Sequence, residues 1–132
     1  MKLKIRCFSR DRLNGLLDAS TSYPPMIDAS RIEELRAEIG DDDLSFIVSV
    51  YLEEARSTLH QVAGGLPQPD YVRAVHFLRS GALNLGLCGI AVLAGQMERD
   101  IVDGTVIQQT LGARQLGDAL DQTMAELETA LA

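Results

Sequence analysis

The sequence predicts an all-α fold, an antiparallel up-and-down four-helix bundle with a short additional N-terminal helix, and three observations predict it. From Asp28 onward the apolar residues recur at spacings of three and four, the period of a helix face, and strand-like alternation is nearly absent. Glycines, prolines and capping residues divide that stretch into one short and four long segments joined by short connections. With 132 residues, 46% of them hydrophobic and 23% charged, the chain is the size of one domain that can bury an ordinary core without staples.

The elements follow in order. Ser30-x-x-Glu33 reads as a capping box opening a short helix from about residue 30 to 39, with Ile32, Leu35 and Ile39 on one side and Gly40 beyond its end. Asp41, Asp42 and Asp43 offer an N-cap and negative charge to a second helix, about 42–63, whose stripe is Leu44, Val48, Tyr51, Ala55, Leu59 and Val62. Gly64, Gly65, Pro67 and Pro69 then imply a tight connection. The third helix, about 69–86, carries the seam Tyr71, Val75, Leu78, Ala82 and Leu85; the fourth, about 89–103, carries Ile90, Leu93, Met97 and Ile101. Thr105-x-x-Gln108 reads as a second capping box, launching a fifth helix through Leu111, Leu116, Leu120, Met124, Leu127 and Leu131, with Gly112 and Gly117 weakening its middle. Residues 1–27 are expected to form a basic, loosely ordered arm set off by Pro24-Pro25, and residues 28–132 the helical body.

Charge narrows the function. Residues 1–27 carry a net +3 and residues 28–132 a net −10, so the body would repel a phosphate backbone and nucleic acid is not an expected partner. Lys2 and Lys4 are the only lysines, which leaves no P-loop or kinase lysine, and Gly81, Gly86 and Gly89 lack the spacing of a nucleotide-cradling loop. The aspartate run lacks the alternation of a calcium loop, and no Glu-x-x-His pair suggests a di-iron site. Cys7 and Cys88 have no metal-ligand or C-x-x-C spacing, Cys88 is expected to pack as a small apolar residue, and His60 to be a solvated residue near a helix end. The start MKLKIRCFSRDRL is broken by charge, and no window approaches the roughly 20 apolar residues of a membrane helix; a cytoplasmic chain with no membrane partner is the expectation.

His76 is the residue left to carry chemistry. On a helix wheel it points about 150° away from the seam of the third helix, so it is displayed to solvent and not packed in the core. Arg79, Val72, Leu83, Pro69 and Ser80 surround it on the wheel, a cation and small residues beside two aliphatics expected to face water. That grouping suggests a docking face.

The segment His76-Phe77-Leu78-Arg79-Ser80-Gly81-Ala82-Leu83-Asn84-Leu85-Gly86 resembles the signature of histidine-containing phosphotransfer (HPt) domains, H-x-L-K-G-(S/A)-(S/A)-x-(N/S)-(L/V/I)-G. The likeness in layout covers about residues 28–131, with Leu52-Glu53-Glu54 in the helix before the signature and Met97-Glu98 in the helix after it. The resemblance places His76 on the phospho-accepting histidine and Arg79 where the family usually has lysine, with Val72, Ser80 and Leu83 on the partner-binding face. A neutral imidazole can attack a phosphoryl group, and a cation one turn later can offset the charge that arrives. The sequence departs from the pattern at Ser80 and Gly81, where the family's glycine and its following small residue stand in reverse order, and this bears on partner choice.

What the resemblance implies is a phosphocarrier of a multistep phosphorelay. Such a domain accepts a phosphoryl group from a receiver-domain aspartyl phosphate and passes it to another receiver, in a response regulator or a hybrid histidine kinase. It has no cofactor of its own, the partner receiver supplying Mg²⁺, it performs no ATP-dependent kinase step, and it is expected to be monomeric. Nothing beside His76 in the sequence offers it a general-base partner. Two other readings stay open: a helical adaptor that binds a receiver or kinase without carrying phosphate, and the dimerisation and phosphoacceptor part of a histidine kinase, against which the five-helix count argues.

Overall fold

The computed structural model describes residues 25–104 and 108–131. Five helices make up the described chain: α1, Ala29–Ile39; α2, Asp41–Ala63; α3, Gln68–Leu85; α4, Cys88–Asp103; and α5, Gln109–Ala130. The fold is all-helical.

Helix starts depart from the sequence reading at three caps. The side chain of Asp28, buried at the head of α1, accepts from the Ser30 and Arg31 amides, so Asp28 and not Ser30 is the cap. Asp41, Asp42 and Asp43 all lie in the first turn of α2, where their charge suits the helix dipole, but Gly40 is the cap and no side chain caps it. Asp41 is instead drawn back 2.7 Å from Arg36, which also donates to the Ala130 carbonyl and so ties α1 to the end of α5. At the head of α5 the cap is Gln108, which makes no side-chain cap bond; Thr105 of the expected capping box lies outside the described residues. Gly86 closes α3 in the left-handed conformation, φ 74°, which favours glycine.

Packing follows the seams closely on the inner helices. All six stripe residues of α2 and all five of α3 are buried. On α5 the buried face is Gly112, Ala113, Leu116, Ala119, Leu120, Thr123 and Leu127, so Leu111 and Met124 of the expected stripe are exposed. Small residues took those core positions because α4 approaches closely: a Cβ on Gly112 would stand 2.8 Å from Met97 Cε. Both α4 and α2 pack on α3 and on α5, and α1 lies against α2 and α3.

Met26 and Ile27, which the expected boundary at 28 leaves outside the helical body, pack with it. The Met26 amide donates to both carboxylate oxygens of Glu126, and Met26 and Ile27 lie against the core. The rest of the expected arm, residues 1–24, lies outside the described residues. Cys88 is buried as expected, but it is disulfide-bonded, which a reducing compartment does not favour. Among the described residues no helix is long and apolar enough to cross a membrane.

Candidate functional site

α3 is both a wall of the core and a display surface. The same helical period that buries Tyr71, Val75, Leu78, Ala82 and Leu85 turns His76 outward, and its side chain is 68% exposed. Val72, one turn earlier on the same face, is exposed too. Leu83 departs from its expected place: it is half-buried and packs against the core, because it lies close enough to the seam to reach neighbouring apolar groups.

A second helix completes the site. Glu98 of α4 puts Oε1 3.4 Å from His76 Nδ1 and Oε2 3.4 Å from an Arg79 guanidinium nitrogen, so one carboxylate bridges the imidazole and the cation. Both separations are long for a hydrogen bond, so the coupling is chiefly electrostatic. Oε1 is shielded from solvent and has no hydrogen-bond donor in that geometry, and the His76 ring is what faces it. A buried carboxylate oxygen of this kind favours a proton on Nδ1, which leaves Nε2 with its lone pair. Ser80 stands on that side, its Oγ 3.4 Å from Nε2.

Glu98 enters the sequence reading only as part of the resemblance in layout, and reasoning along the chain gives it no place beside His76. An expected want of any acid or base beside His76 holds for sequence neighbours only; in space the carboxylate arrives from the next helix. Its position flanking the Ile90, Leu93, Met97 and Ile101 stripe was the available signal, since a residue beside the seam of α4 faces the helix that α4 packs against. Gly95, one turn before Glu98, is buried beneath Arg79; a Cβ there would touch Arg79 Nε at 3.7 Å and an Arg99 nitrogen at 3.9 Å. An open cavity of about 270 Å³ is lined by Arg79, Gly95, Glu98, Arg99, Val102 and Asp103.

The reversed order Ser80-Gly81 has a cause in the packing of α2. Tyr51 donates from its hydroxyl to the Leu78 carbonyl at 2.6 Å, and its ring carbons lie close to Gly81 of α3. A Cβ on Gly81 would come 2.3 Å from Tyr51 Cε1, so position 81 must be glycine while position 80, turned outward, is free to carry a hydroxyl. Burial pushes the Tyr51 phenol up from its ordinary pKa. Tyr71 moves the same way, first by burial and then by the charge of Asp100.

The other candidates stay apart from this cluster. His60 is exposed in the last turn of α2, and a further apolar strip, Phe46, Ile47 and Val50, is exposed on the same helix. Among the described residues no group of three or more His, Cys, Asp or Glu side chains is placed to hold a metal ion. Compared with models of known protein families, with curated proteins and with solved structures, the chain matches none.

Proposed function

We propose that the chain is a histidine phosphotransfer protein of a multistep phosphorelay, receiving a phosphoryl group on His76 from a receiver-domain aspartyl phosphate and handing it to another receiver. One observation carries the proposal: an outward imidazole whose Nδ1 faces a solvent-shielded carboxylate, which leaves Nε2 as a nucleophile on the open side of the helix, with Arg79 one turn away. The residues that resemble the HPt signature are the ones this geometry uses.

In the proposed step the Nε2 lone pair attacks phosphorus in line as the bond from phosphorus to the aspartyl oxygen breaks, and the leaving carboxylate stays with the receiver. No proton need leave Nε2, because the ring's proton is on Nδ1, where Glu98 compensates the positive charge that the ring acquires. Arg79 offsets the charge of the phosphoryl oxygens. The docked receiver supplies Mg²⁺ and the acidic pocket. Transfer onward is the reverse attack by the second receiver's aspartate.

Four long helices in an antiparallel up-and-down bundle, with α1 as the short addition, suit this function, since an outer helix of a bundle presents one face to a partner. Cyclic packing, α2 on α3, α3 on α4, α4 on α5 and α5 on α2, supports that arrangement. A domain spanning 28–132 and a monomer belong to the same proposal, with Val72, Ser80 and the half-buried Leu83 on the face that meets the receiver; a cytoplasmic location is part of it too, and the Cys88 disulfide is the observation that stands against that location.

The test is label transfer from phosphorylated receiver domains and Mg²⁺ to the purified chain and to His76→Gln. Acid-labile label on the parent alone is expected. Absence of label on the parent across a broad panel of receivers, with binding retained in His76→Gln, would replace the phosphocarrier by a binding-only adaptor.

A further inference from the structure

Ser80 is the side chain at this site that the family pattern does not account for, and it stands against the nitrogen that reacts. Its Oγ lies 3.4 Å from His76 Nε2, one turn further along α3. Glu98 takes up the other imidazole nitrogen, and Ser80 holds the one hydroxyl among the described residues that reaches Nε2. A gap of 3.4 Å is long for a bond between hydroxyl and nitrogen. A phosphoryl group on Nε2 would project three strongly accepting oxygens from that nitrogen into the space before Oγ, closing the gap to ordinary hydrogen-bond length. Serine χ1 rotation gives the hydroxyl freedom to follow. The site is therefore wide before transfer and filled after it.

We infer that Ser80 retains the phosphoryl group of the phosphocarrier, its hydroxyl donating to a phosphoryl oxygen on Nε2 and prolonging the life of the phosphohistidine. The inference rests on the proposed phosphocarrier function. In the loss that it slows, a water oxygen attacks phosphorus, the bond between nitrogen and phosphorus breaks with its electron pair returning to Nε2, and the water's proton leaves with the phosphate or to solvent. Ser80 keeps its own proton throughout. Its hydrogen bond is strongest to the charged oxygens of the phosphohistidine and weakens as their charge moves toward the departing nitrogen in a loose transition state. A glycine at this position would hold the imidazole equally well and would leave the phosphoryl oxygens to water.

The experiment loads the full chain with phosphoramidate, a small phosphoryl donor that needs no partner protein, and follows phosphohistidine decay by ³¹P NMR. The parent, Ser80→Ala and Ser80→Thr are compared, with circular dichroism reporting the fold. Ser80→Ala should lose its phosphoryl group roughly threefold to tenfold faster, the range for removing one hydrogen bond, and Ser80→Thr should decay like the parent. Equal decay in Ser80→Ala and the parent would overturn the role of Ser80 and leave His76 as the phosphoacceptor. A parent that takes no phosphoryl group, from phosphoramidate or from any phosphorylated receiver, would overturn both. Should Ser80→Ala fail to fold, Ser80→Cys, of similar size with a weak donor, takes its place with the same two outcomes.

Discussion

Gly81→Ala tests the contact on which the outward order of α3 depends. In an ordinary helix interior, replacing glycine by alanine stabilises by about 1 kcal/mol. Here the new methyl would stand 2.3 Å and 2.5 Å from two ring carbons of Tyr51. That ring is buried, its centroid 5.9 Å from that of Phe77 with the planes tilted by 33°, and held by its hydroxyl to the Leu78 carbonyl, so it has little room to retreat. Overpacking of this kind costs about 1–3 kcal/mol, and displacement of the hydroxyl about 1 kcal/mol more. Set against the gain in helix propensity, Gly81→Ala should destabilise the chain by about 1–3 kcal/mol. In a Tyr51→Leu background the ring is gone and the same substitution should stabilise, by about 1 kcal/mol. Urea unfolding followed by circular dichroism on the four proteins of the cycle measures both signs and their coupling. A stabilising Gly81→Ala in the parent would refute the contact, and with it the account of why glycine follows serine here.

Two further outcomes are expected. Glu98→Ala should fold normally and slow phosphoryl transfer to His76 on the order of tenfold, the scale felt when a histidine loses the group that orients it, read as the initial rate of labelling from a phosphorylated receiver. Tyr51 and Tyr71 have pKa values above the ordinary 10.0 in the folded chain, so the folded state holds protons that the unfolded state gives up. Their contribution is complete below pH 10 and falls as pH rises beyond it, by up to about 1.4 kcal/mol per pH unit for each phenol; Tyr51→Phe should flatten that fall in urea midpoints taken between pH 9 and 12.

Much of the fold was legible because α2 and α3 each obey one periodicity. On both helices every seam residue is buried, because each packs against two other long helices. Periodicity held only in part at α5, where Leu116, Leu120 and Leu127 are buried as expected but Gly112, Ala113 and Ala119 join the buried face while Leu111 and Met124 do not; close approach of helices selects small residues, and a count of large apolar ones does not see them. Caps failed for a local reason, because Asp28 and Ser30 are both good capping residues two positions apart and only the backbone decides between them. His76 and its outward direction could be read from one helix alone. Glu98 could not, because its place depends on the rotation of α4 about its own axis, which no motif in α3 records.

The two faces of α3 divide the labour of the molecule between residues that interleave in sequence without sharing contacts. Positions 71, 75, 78, 82 and 85 answer to the core, while 72, 76 and 80 answer to whatever approaches from outside. A saturation mutagenesis profile along this helix would accordingly show two interleaved combs, one reporting abundance of the protein and the other reporting the phosphotransfer proposed for His76. Gly81 belongs to the first comb although it is not a seam residue, because a methyl group there would meet the Tyr51 ring. The outer comb can therefore be substituted without redesigning the core, so long as that one glycine is kept.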